Sequence, residues 1–263
     1  MKTFTIMGCG HLGTIVSDAY KKGLLDGYKL VGAYSRKIED AWRVVEGTDA
    51  KAVSTLDDLI NLSADYLIET ASIALFKGAA IKALEKGTSI IPLSIGAFAD
   101  RAFHDDVIEV CKKNNAKVLI PNGAVGGFDV LNTISLMADA NGNEITAGIH
   151  THKGPASLKN TPLYKKELEN SEETVFTGTT AEAISLLPTK VNVAVASALA
   201  TIGPDKASAT ITSVPNFVGD DHCITVETEG LKATCDIYSA NSDIAAWSVV
   251  ALMRNLVSPI QFF

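Results

Sequence analysis

Residues 2–16 read Lys2-Thr3-Phe4-Thr5-Ile6-Met7-Gly8-Cys9-Gly10-His11-Leu12-Gly13-Thr14-Ile15-Val16. Lys2 to Met7 has the length and apolar content of a buried strand, and Thr14, Ile15, Val16 and Ala19 begin a helix behind it. Between the two stands Gly8-x-Gly10-x-x-Gly13, in the strand–turn–helix setting that gives this spacing its meaning. Gly8 allows the tight turn, Gly10 lets a pyrophosphate approach the backbone, and Gly13 permits close packing of helix on strand. The helix N-terminus then offers N–H groups and a positive dipole end to phosphate oxygens. The stretch predicts a dinucleotide-binding fold, with Gly8, Gly10, His11, Leu12 and Gly13 around the phosphates.

The next strand, Lys29 to Tyr34, ends in Ser35-Arg36-Lys37. An NAD-selective site carries an acidic residue at this tip, which binds the ribose 2′-hydroxyl. No carboxylate stands there. Ser35 as a donor, the planar fork of Arg36 and the point charge of Lys37 suit a 2′-phosphate. NADP is therefore the expected cofactor, with NAD as the alternative. The competing reading of the same three residues is a solvated turn with two surface cations.

Composition narrows the class further. The chain has 263 residues, enough for one large or two modest domains with a sizeable core. It is 47% hydrophobic and 20% charged, as soluble globular proteins are. A net charge of −7 argues against nucleic acid as a partner. No apolar run reaches the length of a membrane span, and the first apolar residues read as a strand rather than a signal peptide. The four cysteines, Cys9, Cys111, Cys223 and Cys235, form no C-x-x-C pair or metal-ligand spacing. They read as reduced thiols of a cytoplasmic protein. Cys9 lies at a helix N-terminus, where a thiol pKa can fall, but it occupies a variable position of the glycine motif and takes no catalytic role.

Strand and helix alternate through the first 120 or so residues. Val44 to Ala52 lead to a third, short strand. Thr55 caps a short helix that carries Asp57 and Asp58 in its first turn. Tyr66 to Thr70 is a buried strand, and Ser72 opens a helix to about Lys86 that Gly87 ends. Ser89 to Leu93 is a strand, Asp105 to Asn114 a helix, and Lys117 to Ile120 a further strand. This order implies an α/β, doubly wound parallel Rossmann sheet. Its ligand is expected at the strands' carboxyl ends, which are Gly8, Ser35, Thr70, Ser94 and Pro121.

The pattern changes after Asn122-Gly123. Gly126 and Gly127 open a helix through Val130, Leu131 and Ile134. Strands follow at Glu144–Lys153 and Ala207–Val214, with a helix of small residues, Val191 to Ile202, between them. His222–Glu227 and Leu231–Tyr238 form a hairpin through Glu229-Gly230. The last helix, Asp243 to Leu256, is apolar on most faces and is expected to return to the first domain. The expected division is residues 1–122 plus 240–263 for the dinucleotide, and 123–239 as an α+β domain for substrate and dimerisation.

Further motifs are Leu93-Ser94-Ile95-Gly96-Ala97-Phe98-Ala99-Asp100 and Gly123-Ala124-Val125-Gly126-Gly127-Phe128-Asp129. Phe176-Thr177-Gly178, Ala181-Glu182-Ala183, Pro188, Val191-Asn192-Val193-Ala194 and Asp221-His222-Cys223-Ile224 follow them. With the glycine loop, these resemble the L-aspartate dehydrogenases over nearly the whole chain. Those are two-domain enzymes that feed aspartate carbon into NAD synthesis. The resemblance implies that His222 is the catalytic acid/base and that Ala124 and Asn192 contact the cofactor. The chain departs from the family pattern at Lys190 and Asp221, where Asn is usual. It departs again at Ser242-Asp243-Ile244-Ala245 after Asn241, where Pro and a polar Thr-Ser pair are usual.

Read from the residues alone, His222 is either a surface histidine or a proton-transfer group, with Asp220 or Asp221 to orient the ring or raise its pKa. His11 packs or caps within the phosphate loop, and His104 is solvated. His150 and His152 share a strand face, where they line a substrate pocket or cover an exposed sheet. A dicarboxylate needs cationic partners. Lys153, Lys159 and Lys190 are candidates, each otherwise a plain surface lysine, and Asn241 joins the substrate set. The resemblance implies hydride transfer from the substrate Cα to a nicotinamide near Thr70-Ala71-Ser72 and Gly123-Ala124. His222 would activate the water that adds to the imine, with no metal involved. Dihydrodipicolinate-reductase-like chemistry on another amino or oxo acid, or a non-catalytic NADP-binding protein, are the competing functions. Pairing through the open sheet of the second domain into a homodimer is expected.

Overall fold

In β1 (Lys2–Met7), Phe4, Thr5, Ile6 and Met7 are all buried, polar and apolar alike. Burial on both faces marks an inner strand of a parallel sheet. The computed structural model describes residues 1–187 and 191–262. β1 pairs in parallel with β2 (Tyr28–Tyr34) on one side and β4 (Tyr66–Glu69) on the other. With β3 (Lys51–Val53) and β5 (Ser89–Pro92) the sheet order is β3-β2-β1-β4-β5. The order reverses beside β1, at the carboxyl ends where such sheets hold dinucleotides.

Helices α1 (His11–Lys21), α2 (Ile38–Val45), α3 (Leu56–Asn61) and α4 (Ile73–Glu85) connect these strands, and α5 (Arg101–Asn114) follows β5. Thr55, Ser72 and Asp100 cap α3, α4 and α5 by accepting backbone N–H groups of Asp58, Leu75 and Phe103. The unit comprises Met1–Gly123 and the segment from Asp243 onward. That segment carries α9 (Asp243–Val257), whose Ala246, Val249, Val250 and Met253 lie in the same core as Phe4, Val16 and Tyr28. The Tyr28 hydroxyl donates to the Met253 carbonyl at 2.8 Å.

The second unit is Ala124–Ser242. It holds α6 (Phe128–Asn141), β6 (Ile145–Lys153), β7 (Glu173–Thr179), α7 (Thr180–Leu186), α8 (Asn192–Leu199), β8 (Ser208–Ser213), β9 (Asp220–Thr228) and β10 (Leu231–Ser239). The sheet order is β10-β9-β6-β8-β7, antiparallel throughout except for β6 beside β8. Along β6, Ala147, Ile149, Thr151 and Lys153 are buried and the residues between them are not. This is the period-two pattern of a sheet covered on one face. α6 packs on β9 and α8 on β6.

Several expectations are corrected. Lys117 to Ile120 is not a strand: a single parallel bridge, Ile90 to Val118, is formed before Pro121. Pro121 has no N–H with which to extend a ladder. α5 starts at Arg101 rather than Asp105, because Asp100 supplies the cap. α2 precedes the third strand, and β7 and α7 precede the small-residue helix, which itself ends at Leu199 rather than Ile202. The chain passes from the first unit to the second after Gly123 and returns after Ser242.

Candidate active site

The glycine loop lies in a groove of about 1000 Å³ in the first unit. Gly8, Gly10, Ser35, Arg36, Lys37 and Thr70-Ala71-Ser72 all line it. Gly8 has φ +104°, and a Cβ there would sit 2.8 Å from Ala71. A Cβ on Gly10 would meet nothing within 4 Å, so the backbone is open to a ligand. A Cβ on Gly13 would lie 2.0 Å from the Gly8 carbonyl, so this glycine serves packing rather than contact. The first helical hydrogen bond runs from Thr14 N–H to Gly10 C=O, and the preceding N–H groups stand at the positive end of α1. Leu12 packs against the core. The exposed His11 ring meets Asp243 through Nε2 at 2.5 Å, which tethers the loop to the start of α9.

Two residues that sequence reasoning passed over hold this groove. Arg43 pairs with Asp40 at 3.0 Å and donates to the Cys9 carbonyl at 3.2 Å. Glu69, at the carboxyl end of β4, is 0% exposed. Its carboxylate accepts the Ala71 N–H at 2.6 Å, and the Ser94 N–H and hydroxyl each at 2.9 Å. Its signal in sequence was an acidic residue inside an apolar strand. Cys9 corrects an expectation: burial pushes its thiol up to about 12, against the lowering that a helix N-terminus favours.

In the second unit, β6 and β9 set Thr151 directly opposite His222, and Lys153 opposite Asp220. All four project from one face. His222 is 4% exposed, and its Nδ1 lies 2.9 Å from the Thr151 hydroxyl. Lys153, expected at the surface if not at a substrate, is 7% exposed and pairs with Asp220 at 3.1 Å. Burial drives the His222 pKa down to about 4; Asp220 opposes this and Lys153 adds to it. The expected raising by a neighbouring acid is thus outweighed by desolvation. The ring lines a small cavity with Ile149, Val191, Val193 and Ala194. Asn192, the first residue of α8, lies between two of these.

Asp221 does not orient His222. It projects from the other face, where its carboxylate lies 3.7 Å from His152 Nδ1. The His150 and His152 rings stack there at 4.2 Å. Of the remaining candidates, Lys159 is exposed and pairs with Glu169 at 3.4 Å. Ala124 opens the second unit. Asn241 lies between β10 and α9, its carbonyl accepting the Ser239 hydroxyl. Lys190 and Pro188 fall outside the described residues. Among the described residues no His/Cys/Asp/Glu group is arranged to hold a metal ion, and no helix is long and apolar enough to cross a membrane.

A Rossmann unit with an open glycine loop, joined to a sheet unit with a buried histidine and a buried lysine paired to an aspartate, defines a two-domain NAD(P)-dependent dehydrogenase. The family described as aspartate dehydrogenase, C-terminal, matches residues 134–256, and the homoserine dehydrogenase NAD-binding domain matches residues 8–121. The L-aspartate dehydrogenase of Methanococcus maripaludis strain C5 is 31% identical over 97% of both chains. That of Methanocaldococcus jannaschii is 29% identical over 97% of both. The crystal structure of aspartate dehydrogenase from Thermotoga maritima superposes with a TM-score of 0.76 at 26% identity, covering 100% of both chains. The chain belongs to the L-aspartate dehydrogenase family.

Proposed function

We propose that this protein interconverts L-aspartate with iminoaspartate, and so with oxaloacetate and ammonia, using NADP in preference to NAD. The observation that carries the reading is the buried His222 beside the Lys153–Asp220 pair, in a chain of this family.

The groove suits a dinucleotide. Gly10 leaves open backbone where a pyrophosphate belongs, and Ser35, Arg36 and Lys37 line the end where a 2′-phosphate would sit. When bound, the cofactor supplies hydride acceptance from the substrate Cα. The protein supplies position and proton handling. Lys153 holds a substrate carboxylate in exchange for part of its pairing with Asp220. His222 is neutral at pH 7 and so ready as a base. It takes a proton from the water that adds to the imine, and returns it to the departing amine. A carboxylate brought against Lys153 offsets the smaller of the two influences that lower the ring's pKa, while burial, the larger, keeps it neutral. The Asp221 departure from the family pattern leaves this machinery intact, because that side chain lies on the opposite face. Ala124 and Asn192 serve as cofactor contacts and Asn241 as a substrate contact in this reading.

The test is the initial rate of NADPH and NADH oxidation with oxaloacetate plus ammonia. Fast turnover that favours NADPH and is lost in His222→Ala supports the reading. Tight NADPH binding with no turnover sinks it. The protein acts as a cytoplasmic homodimer paired through the open face of the second sheet. A sedimentation mass near that of the 27.8 kDa chain overturns the pairing.

A further inference from the structure

Glu69 is a buried acid that the proposed proton transfer does not use. It ends β4, its carboxylate is fully enclosed, and its partners are all donors: the N–H groups of Ala71 and Ser94 and the Ser94 hydroxyl. Burial pushes its pKa up, and the N–H groups of Ala71, Ser94 and Ser72 with the Ser94 hydroxyl pull it back. Burial wins, so the pKa stands above the ordinary carboxylate value, while two backbone N–H groups and a hydroxyl aimed at the carboxylate favour its ionised form.

The topology says what lies above it. The residues suited to the 2′-phosphate follow β2, and the glycine loop follows β1. A dinucleotide crossing the reversal in strand order therefore places its nicotinamide on the β4–β5 side. Thr70 and Ala71 line the groove there. The Thr70 hydroxyl donates to the Gly8 carbonyl at 2.6 Å, and Ala71 is held by Glu69. One hydrogen-bonded chain thus runs from the glycine loop through Thr70 and Ala71 to Glu69 and Ser94.

We propose that Glu69 is a positioning residue that also biases cofactor binding toward the oxidised form. Its buried negative charge lies beneath the half of the groove where the nicotinamide is cationic when oxidised and neutral when reduced. The inference rests on the dinucleotide reading of the groove. A unit charge beneath a partly desolvated site alters the balance between the two forms by about fivefold.

The experiment measures dissociation constants for NADP+ and NADPH by fluorescence titration of the full chain. Wild type, Glu69→Gln and Ser94→Ala are compared. In Glu69→Gln the ratio Kd(NADP+)/Kd(NADPH) is expected to rise about fivefold. In Ser94→Ala both constants weaken together, because a donor is lost and the charge stays. Equal weakening of both forms in Glu69→Gln would reduce Glu69 to a structural tie and overturn the bias. Should Glu69→Gln fail to fold, the neutral Glu69→Met replaces it, and an unchanged ratio there overturns the proposal. Arg36, Lys37 and Asp40, at the far end of the groove, and the His11–Asp243 pair at the phosphate loop act on the half common to both forms, so they cancel in the ratio. If wild type binds neither form, the dinucleotide reading itself fails, which is a separate result.

Discussion

The two faces of the second sheet are made from the same strands and differ by one residue in phase. On the covered face, β6 and β9 pair Thr151 with His222 and Lys153 with Asp220. On the open face the same strands pair His150 with Cys223 and His152 with Asp221. Both faces thus carry histidine and aspartate at matched positions. Burial separates them. On the covered face desolvation takes His222 to about 4. On the open face, burial and the adjacent His152 lower His150, while Asp221 is raised by burial and by Asp236. The open face spreads its charges over a shallow trough, and the covered face encloses one base and one cation, with the half-exposed Asp220 at the edge. Local composition therefore does not reveal which histidine is enclosed; the phase of the strand relative to its helical cover does.

The sharpest way to break that comparison is to remove one histidine from each face. His222→Ala is expected to lower kcat by about a thousandfold, the scale of a lost general base. His152→Ala should leave kcat within about threefold. Equal losses would mean that the faces share the chemistry. Next, Lys153→Met should raise the KM for oxaloacetate by about thirtyfold, as expected when one partner of a buried charged contact is truncated. The exposed Lys159→Met should leave KM unchanged, and a matching rise there would disperse the proposed anchor.

The smallest effect is on stability. The unfolded His222 takes up a proton near pH 6.5 and the folded one only near pH 4. Between those values the unfolded chain binds more protons, so stability falls as pH drops through this window. The cost reaches about 3 kcal/mol once both states are protonated. Urea midpoints at pH 7.5 and 4.5 should therefore differ less in His222→Gln than in wild type. An unchanged difference would show that the covered face is wetter than its geometry implies.

Sequence carried the first unit far and the second only in part. The glycine spacing, the bare tip at Ser35 and the caps at Thr55 and Ser72 are local chemistry, readable within a few residues. The hairpin through Gly230 was legible for the same reason. β7 and α7 were not, because Glu173–Thr179 is half-exposed with no clean alternation. His222 was named through family resemblance, since nothing in Asp220-Asp221-His222 says which acid shares its face. That depended on the register with β6, a contact between residues about seventy positions apart. Lys153 closes a strand and could be read as a substrate partner or a plain surface lysine; its burial beside the α8 residues Val193 and Ala194 is set by packing that sequence does not show. Glu69 went unremarked because an acid closing an apolar strand has no short-range partner; its donors arrive from the loops after β4 and β5.

The membership of α9 in the first core has a consequence for how the molecule is made. Val249, Val250 and Met253 fill space beside Phe4 and Tyr28, yet they leave the ribosome only after the whole of Ala124–Ser242 has been synthesised. At about 5–20 residues per second that interval is on the order of 10 s. Throughout it the first unit lacks the residues that fill its core beside α1, and by its end the interrupting unit has every strand it needs. The half that begins first therefore finishes last, and its core closes only once α9 has emerged.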